Sequence, residues 1–396
     1  MNLHINCIRG SLLFTFTFLL IFAAEAFGAV TINITAPAND TTSQTLPELN
    51  FTTSGLSNVT YNWNGEGNIS GCRNCTSFNT TYGEYANSSE QNLVLAMHFN
   101  ENFSTTAFDD SVNGNDGTLG NATLGTEAEP NWTTGKFGPA LEFDGDWDFV
   151  QIPYSSSLDS TRENLTVMFW FKNKGASDNP WQYLIGYGTP TGNNNFSWYI
   201  MYNNASNKTV FWVKNPGVTI ASSTSPDNSI IKDQWYFLAF TYDSSTGNLN
   251  TYLNGTNMSE ATLSGAGNLR SGGGDFKVRI GKSYKLDQNW LNGTIDEVVI
   301  LNRSLSASEI QGWYNRSLED GQHNVTVYAV NSTGGENSTT RWFTVDTTAP
   351  TYSNVGRNST EAGASTLFYA YWQDNIGLSN YIFSWNNSGT WQNDTP

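Results

Sequence analysis

Residues 135–153 read GKFGPALEFDGDWDFVQIP. The stretch predicts a β-hairpin, because Asp144-Gly145 lies between two short apolar runs and Asp-Gly is a strong hairpin signal. Four carboxylates alternate along it, at Glu142, Asp144, Asp146 and Asp148. On one continuous strand they would share a face, as a pair of catalytic acids would, but Gly145 interrupts the strand. We therefore interpret Asp144 and Asp146 as turn residues between two strands.

Short apolar or alternating runs, typical of β-strands, surround this stretch. They lie at residues 93–99, 165–172, 183–187, 196–202, 209–213, 235–242, 249–253, 276–280 and 293–301. Many short strands separated by turns predict a large antiparallel sandwich, in an all-β chain. One short helix is expected after the last strand, because Ser306 and Glu309 form a capping box and Ile310, Trp313 and Tyr314 have helical spacing.

Further strands are expected on both sides of this sandwich, at residues 31–37, 48–53, 59–63, 323–330 and 340–345. Each group resembles half of a small immunoglobulin-like sandwich, whereas residues 65–89 are expected to be loop. Because the ends of a domain often lie close together, a large domain can be inserted into a smaller one. We therefore predict that residues 91–316 are inserted between residues 30–88 and 318–346, and that residues 351–396 begin a partial immunoglobulin-like repeat.

The composition limits the classes of function. Of the 396 residues, 38% are hydrophobic and 14% are aromatic, which is enough to form a sizeable β core. The chain has 18 Lys and Arg against 35 Asp and Glu, and a formal net charge of −17. Nucleic-acid binding is not expected, because it requires basic surfaces that meet phosphate.

The N-terminus predicts secretion. Arg9 precedes the apolar run 12–24, which ends in small residues, so residues 1–26 are interpreted as a signal peptide. The run is shorter than the ~20 residues of a membrane span, and we expect an extracellular or cell-surface location. Asn-x-Ser/Thr triplets are frequent and are interpreted as glycosylation acceptors, although an Asn-, Ser- and Thr-rich composition also produces them by chance.

Two cysteines follow the signal segment, Cys72 and Cys75. In an oxidising compartment they predict a local disulfide. A thioredoxin-like redox site would lie between a strand and a helix, and a zinc site would need two further Cys or His residues nearby. The surrounding Asn-, Gly- and Ser-rich sequence favours the disulfide over both alternatives.

Several phrases occur in a characteristic order in the central region. They are NGNDGT at 113–118, GKFGPALEFDG at 135–145, DFVQIP at 148–153, LTVMFWFK at 165–172, QWYFLAFTYD at 234–243, LNG at 253–255 and NGTIDEVVILNRSL at 292–305. With them, residues 91–316 resemble the laminin G-like, concanavalin A-like jelly-roll family. The resemblance implies two curved antiparallel sheets, binding of carbohydrate or protein ligands, and often a structural calcium ion. The flanking segments resemble immunoglobulin-like repeats of prokaryotic surface proteins.

A loop at residues 109–117, DDSVNGNDG, is rich in hard oxygen ligands of the kind that calcium prefers. The candidate ligands are Asp110, Asn113, Asn115, Asp116 and Asp296. Asp296 is included because the family pattern has an aspartate near the first loop. The alternative is a solvated turn, with Asp296 hydrogen-bonded to the backbone.

The candidate ligand-binding residues are aromatic residues in loop-like positions. They are Trp181, Tyr183, Trp198, Tyr202 and Trp290. Flat aromatic faces with nearby amides suit sugar rings, although packing in the core is the alternative for each of them. Four tryptophans at regular strand or helix positions are assigned to the core, at Trp170, Trp212, Trp235 and Trp313.

No catalytic residue is predicted. Glucanases of the laminarinase type share the jelly-roll fold and carry a Glu-x-Asp-x-x-Glu set, of which Glu142 and Asp144 match two positions while Trp147 replaces the third. We therefore expect a secreted, non-catalytic binding or adhesion protein whose partner is a carbohydrate or a cell-surface polymer. The alternatives are a structural stalk or surface-layer component without a specific ligand, and a glycoside hydrolase on the same fold.

Overall fold

A computed structural model describes residues 30–43, 47–66, 68–81, 90–101, 104–120, 128–175, 180–189, 195–283, 289–316, 318–361, 367–378, 384–385 and 392–393. The signal peptide predicted for residues 1–26 lies outside the described residues. Among those that are described, no helix is long and apolar enough to cross a membrane.

The secondary structure is almost entirely β-strand. The first strands are β1 (Ile32–Ala36), β2 (Thr41–Ser43), β3 (Glu48–Trp63), β4 (Ile69–Thr81), β5 (Leu93–Met97), β6 (Thr106–Ala107), β7 (Gly117–Leu119), β8 (Asn131–Thr134), β9 (Pro139–Asp144) and β10 (Val150–Ile152). The next are β11 (Asn164–Asn173), β12 (Trp181–Gly188), β13 (Phe196–Asn203), β14 (Lys208–Lys214), β15 (Ile220–Thr224), β16 (Trp235–Asp243), β17 (Asn248–Leu253), β18 (Thr256–Thr262), β19 (Lys277–Ile280) and β20 (Asn292–Leu301). The last are β21 (Gly321–Asn331), β22 (Glu336–Val345), β23 (Thr351–Arg357), β24 (Phe368–Gln373), β25 (Ser384–Trp385) and β26 (Gln392–Asn393). The α-helices of the described residues are α1 (Ser156–Asp159) and α2 (Ala307–Tyr314), and single turns of 3-10 helix lie at Ser160–Arg162 and Gly273–Asp275.

The central domain consists of two eight-stranded sheets that face each other. One, which we call the open sheet, has the order β15-β14-β13-β12-β19-β10-β7-β6. The other, which we call the covered sheet, has the order β18-β17-β16-β11-β20-β9-β8, with β5 paired to β20. Alternate residues of both sheets fill the space between them, including Phe143, Phe169, Phe240, Trp198 and Phe211, which are fully buried. The predicted all-β, antiparallel jelly-roll sandwich is confirmed.

The stretch at residues 135–153 does not form a hairpin, and that prediction is wrong. β9 pairs with β20 of the covered sheet, with Leu141 opposite Ile295. β10 pairs with β19 of the open sheet, with Val150 opposite Ile280. Asp-Gly indicates a reversal of the chain, but five residues separate the two strands, and Gly145 with φ of +96° begins a longer arch between the sheets.

The other Asn/Asp-Gly turn behaves as its sequence indicates. Asn254 and Gly255 have φ of +49° and +78°, and the flanking strands β17 and β18 pair with each other. Positive φ at both central residues is the geometry of the tight two-residue hairpin turn.

The strands on either side of the jelly roll pair in one sheet, which we call the small sheet. Its order is β1-β3-β21-β22-β2, with β4 also paired to β3. The pairing of β3 with β21 places Tyr61 opposite Val327, although the whole jelly roll separates them in sequence. Phe51, Tyr61, Val327 and Phe343 belong to one buried cluster. The two flanking segments thus share a sheet and a core, while the predicted domain boundaries stay predictions.

Residues 65–89 were expected to be loop, which is wrong for the part that forms β4. This strand is polar in sequence but pairs along the edge of β3, with Phe51 opposite Phe78. Its apolar residues Ile69, Cys72 and Phe78 face the small core, and the residues between them are mostly exposed. Cys72 and Cys75 form the predicted disulfide within this strand. The two strands expected at 48–53 and 59–63 are one continuous strand, β3.

Helix α2 begins as its capping box indicates. The Ser306 hydroxyl accepts a hydrogen bond from the Glu309 backbone N–H, and the Glu309 carboxylate accepts one from the Ser306 backbone N–H. Tyr314 at its end packs on the outward side of the covered sheet, with ring centroids 6.1 Å from Trp170 and 6.0 Å from Phe237. The helix therefore closes one outer face of the jelly roll.

The C-terminal segment forms two short ribbons, in which β23 pairs with β24 and β25 with β26. Large apolar side chains on the first ribbon are exposed, among them Tyr352 at 66% and Phe368 at 56%. The partial immunoglobulin-like repeat proposed for residues 351–396 stays a prediction.

Candidate functional site

A patch of aromatic side chains lies on the outward side of the open sheet. It consists of Trp181 and Tyr183 on β12, Tyr199 and Met201 on β13, and Trp212 on β14, and we call it the aromatic patch. Residues of opposite parity on these strands, such as Trp198 and Phe211, face the interior between the two sheets. All members of the patch come from these three strands, and the three with partial exposure are Trp181, Tyr199 and Trp212.

The rings of the patch form a continuous stacked group. Tyr199 stacks on Trp212 with centroids 5.0 Å apart and planes 25° apart, and on Tyr183 at 6.0 Å and 22°. Trp181 meets Trp212 edge to face at 5.5 Å, and Phe196 meets Tyr199 edge to face at 4.5 Å. Such pairs fix the orientation of each ring, so the surface is preorganised.

Gly186 makes room for this stacking. It lies opposite Tyr199 on the neighbouring strand. A Cβ atom at Gly186 would collide with the Tyr183 hydroxyl and would lie 2.5 Å from the Cβ of Tyr199. The Tyr183 side chain therefore occupies the space that a larger residue at Gly186 would need.

We expect Gly186→Ala to destabilise the fold by about 1–3 kcal/mol, because it overpacks this contact and separates the Tyr183 and Tyr199 rings. The measurement is denaturant unfolding, together with the near-ultraviolet circular dichroism of the aromatic residues. Gly274→Ala is a suitable control, since a Cβ there meets nothing within 4 Å. Equal stability of the two variants would contradict the role assigned to Gly186.

Polar groups continue the patch in a row across the sheet. Cross-strand pairing places Gln151 opposite Arg279, Arg279 opposite Gly186, Gly186 opposite Tyr199, and Tyr199 opposite Trp212. The guanidinium of Arg279 donates from Nε and Nη2 to Gln151 Oε1, at 3.1 and 2.9 Å. One end of the row therefore offers flat apolar rings, and the other offers oriented hydrogen-bonding groups. This combination is typical of ligand sites that hold a ring by stacking and orient it by hydrogen bonds.

The five aromatic residues predicted for ligand binding separate into three groups. Trp181 and Tyr183 belong to the aromatic patch. Trp198 and Tyr202 are fully buried in the main core, so the prediction for these two is wrong. They lie within strand β13 rather than in a loop, and their parity directs them inward. Trp290 lies in a separate cluster.

The cluster of Trp290 lies at the arch between β9 and β10. Its ring is 5.1 Å from that of Trp147, and the Lys282 ammonium lies 4.4 Å from the Trp290 ring centre. Trp290 is only 8% exposed, whereas Trp147 is 37% exposed. The indole of Trp290 therefore supports the arch, with Phe149 and Ala128 as its buried neighbours.

Sequence reasoning missed Tyr199 and assigned Trp212 to the core, which is wrong because Trp212 lies in the partly exposed patch. The sequence pattern that separates outward from inward residues was weak here, because β13 reads FSWYIMYN and is apolar on both faces. Alternation identifies the outward face of a strand only when one face is polar. The pairing of Tyr199 with Gly186 is visible only once the strands are in register.

The loop predicted to bind calcium uses its oxygens internally. Both carboxylate oxygens of Asp109 accept hydrogen bonds, from the backbone of Ala96, Ser111 and Asn115 and from the Ser111 hydroxyl. Asp116 accepts one from the backbone N–H of Asp109. These bonds hold the loop as a folded turn.

The remaining predicted ligands have separate partners. Asn113 and Asn115 donate through their side-chain amides to the backbone of β5. Asp296 accepts from the backbone N–H groups of Lys136 and Phe137, at 2.7 and 3.0 Å, as the alternative interpretation held. Among the described residues, no group of three or more Asp, Glu, His or Cys side chains could hold a metal ion. The predicted ligands do not fit one coordination set, and calcium binding stays a prediction.

Asp110 instead connects the jelly roll to the small sheet. It accepts hydrogen bonds from the Ser70 hydroxyl at 2.6 Å and from the Ser70 backbone at 3.1 Å. His98 lies 3.7 Å from Asp110 and 2.8 Å from Glu297, both measured from its ring nitrogens. Glu101 lies nearby, 8% exposed, and burial raises the pKa of this carboxyl to about 7. This buried polar junction is a second feature that the sequence did not reveal.

Comparison with known proteins agrees with the fold. Residues 144–311, within the central jelly roll, match the model of the concanavalin A-like lectin/glucanases superfamily. The match covers less than half of the chain. No curated protein sequence matches this chain.

Several solved structures are similar in fold. The binding domain of botulinum neurotoxin DC, solved in complex with SialylT, is 19% identical over 58% of this chain and 53% of its own, with a TM-score of 0.42. The binding domain of Paraclostridial Mosquitocidal Protein 1 is 14% identical over 76% of this chain and 67% of its own, with a TM-score of 0.45. A third structure is domain 4 of AbnA, a GH43 extracellular arabinanase from Geobacillus stearothermophilus, solved in complex with arabinotriose. It is 21% identical over 56% of this chain and 98% of its own, with a TM-score of 0.40. The chain spans about half the length of the botulinum domain. The ligands in these structures are ligands of those proteins.

Proposed function

We propose that the jelly roll binds carbohydrate on the outward side of the open sheet, in a secreted or cell-surface protein that acts in binding or adhesion. The observation that carries the proposal is the stacked pair of Tyr199 and Trp212, both partly exposed. The exposed parts of these rings are held in a fixed orientation and offer an apolar contact surface for a sugar. The Arg279–Gln151 pair beside them offers the directional hydrogen bonds that fix its orientation.

The same face supports a non-catalytic role. Retaining and inverting glycosidases both need a pair of carboxyl groups at the bond that they cleave. The strands of the open sheet contain no Asp or Glu. Glu142 and Asp144, the residues that resemble glucanase acids, lie on β9 of the covered sheet, and Glu142 pairs with Lys174.

We expect Trp212→Ala and Tyr199→Ala each to weaken glycan binding about tenfold, since an aromatic contact contributes about 0.5–1.5 kcal/mol beyond its buried area. The measurement is a glycan array with the full chain, followed by titration calorimetry on the glycans that bind. Trp342→Ala is the matched control, because this indole is 45% exposed on the small sheet.

Binding that is equally strong in the Trp212 and Trp342 variants would contradict the proposed site. A wild-type chain that binds no glycan would favour the alternative, a structural stalk or surface-layer component. Cleavage of a bound glycan would instead favour the glycoside hydrolase.

A further inference from the structure

The two sheets of the jelly roll differ sharply in charge. The strands of the open sheet carry only cationic charged residues, Lys208, Lys214, Lys277 and Arg279. The strands of the covered sheet carry mostly acidic ones, Glu142, Asp144, Asp243, Glu260, Asp296 and Glu297, together with Lys172. The strands of the sheet that carries the aromatic patch thus hold four of the chain's 18 basic residues and none of its 35 acidic ones.

These cations lie on the same side of the open sheet as the aromatic patch. On β19, Val278 and Ile280 face the core, so Lys277 and Arg279 project outward. On β14, Lys214 shares the parity of Trp212. Lys277 lies opposite Gly188 and Arg279 opposite Gly186, so the neighbouring strand presents no side chain beyond Cα at either position.

Lys214 is held close to a second cation. It is only 5% exposed, and its ammonium lies 5.6 Å from the ring centre of Phe196 at the edge of the patch. The backbone N–H of Arg270 donates to the Lys214 carbonyl, and the Arg270 side chain is anchored to Asn195 at 2.8 Å. Burial and the charge of Arg270 both lower the pKa of Lys214. A bound anion would relieve this repulsion.

We propose that the saccharide is acidic: its carboxylate or sulfate groups contact Lys277 and Arg279 on one side and Lys214 on the other, while a sugar ring packs against the exposed parts of Tyr199 and Trp212. This inference rests on the proposed carbohydrate site. Neighbouring strands are about 4.8 Å apart, so β19 and β14 are about 14 Å apart across the sheet. Anionic groups that reach both sides belong to a chain of several sugars rather than to a single one.

The cations near the site matter more for anion binding than the net charge of the whole chain. The formal net charge of −17 repels an anionic polymer at long range. At the Debye length of about 8 Å in physiological salt, however, a bound anion responds mainly to the nearest charges. Guanidinium and ammonium groups donate strong, charge-assisted hydrogen bonds to carboxylate and sulfate. The cations of the open sheet can therefore hold an anion despite the acidic net charge of the chain.

The test uses the full chain and matched pairs of ligands that differ in charge. The pairs are polygalacturonate with its methyl ester, dextran sulfate with dextran, and a sialylated glycan with its desialylated form. We expect at least one acidic member to bind about tenfold more tightly than its neutral counterpart at low salt, with an advantage that falls as salt rises. The pair that responds distinguishes a carboxylate from a sulfate.

Variants separate this inference from the proposed site. Lys277→Gln is expected to remove most of the preference for the acidic member and to leave binding of the neutral member unchanged, whereas Arg279→Gln also breaks the pair with Gln151 and is expected to weaken binding of both members. Lys172→Gln on the covered sheet is the matched control. No preference for an acidic member in any pair would overturn the inference, and the carbohydrate site would still stand if Trp212→Ala weakened neutral binding. A preference that Lys172→Gln removes as fully as Lys277→Gln would also overturn it.

Discussion

Trp198→Ala is expected to lower the free energy of unfolding by about 3–5 kcal/mol, the usual cost of deleting a large buried aromatic side chain. Trp198 is fully buried between the two sheets, and its ring centroid lies 6.5 Å from that of Tyr187. The neighbouring strands cannot collapse into the space left behind, because both are held in register by pairing with β13. The measurement is the midpoint and slope of denaturant unfolding for the full chain.

Two further variants make this expectation specific. Trp198→Phe keeps most of the apolar volume and removes an indole N–H that has no hydrogen-bond partner among the described residues, so its loss should be clearly smaller. Trp212→Ala removes a partly exposed ring and should leave the unfolding midpoint near that of the wild type. If Trp212→Ala destabilised the chain more than Trp198→Ala, the assignment of inward and outward faces on the open sheet would be wrong.

Glu101→Gln is expected to stabilise the chain by about 3 kcal/mol at pH 8 and to have little effect near pH 4.5. Burial raises the pKa of Glu101 from 4.5 to about 7, and the charge of Asp110 adds to this, while His98 and the Phe108 backbone N–H oppose it. Such a difference corresponds to about 3 kcal/mol. The residue lines a cavity of about 1070 Å³ between the jelly roll and the small sheet.

The sign of the change in stability with pH follows from proton binding. Between pH 4.5 and 7 the folded chain keeps the proton of Glu101 and the unfolded chain loses it, so stability falls as pH rises through this range. Glutamine accepts the same hydrogen bond from Phe108 without ionising, which removes this contribution. Asp148, whose pKa burial also raises to about 7, still contributes a slope of the same sign.

Denaturant unfolding of the wild type and of the Glu101→Gln variant at pH 4.5, 6 and 8 measures this difference in stability. Glu336→Gln, at an exposed position on the small sheet, is the control and should shift no midpoint appreciably. A Glu101→Gln variant less stable than the wild type at pH 8 would show that the ionised carboxylate stabilises the junction.

Local signals in the sequence were reliable where the structure depends on neighbouring residues. The capping box at Ser306 started the helix, and Asn254-Gly255 made a two-residue hairpin, because both features are set by backbone geometry within a few residues. The disulfide between Cys72 and Cys75 is local in the same sense. The ordered phrases of the jelly roll were equally informative and agree with the superfamily match.

The candidate site was only half accessible from the sequence. Trp181 and Tyr183, two of the predicted ligand-binding residues, lie in the patch, and their role in binding stays a prediction. Trp198 and Tyr202 were wrong, and Tyr199 and Trp212 were not identified. Strand β13 is apolar at nearly every position, so burial on both faces removed the alternation that distinguishes inside from outside. The acidic loop was recognised, but hydrogen bonds to distant strands determine where its oxygens point.

The sequence by itself determined an all-β chain, the Asn254-Gly255 turn, the helix cap at Ser306 and a jelly roll of recognisable type, since these depend on residue type and short-range spacing. Only the tertiary structure decided that residues 135–153 form an arch between two sheets, because β9 and β10 do not pair with each other and each has a partner more than a hundred residues away, β20 and β19. It also decided that Gln151, Arg279, Tyr199 and Trp212 form one row. Register between distant strands sets such a row, and no local pattern encodes it.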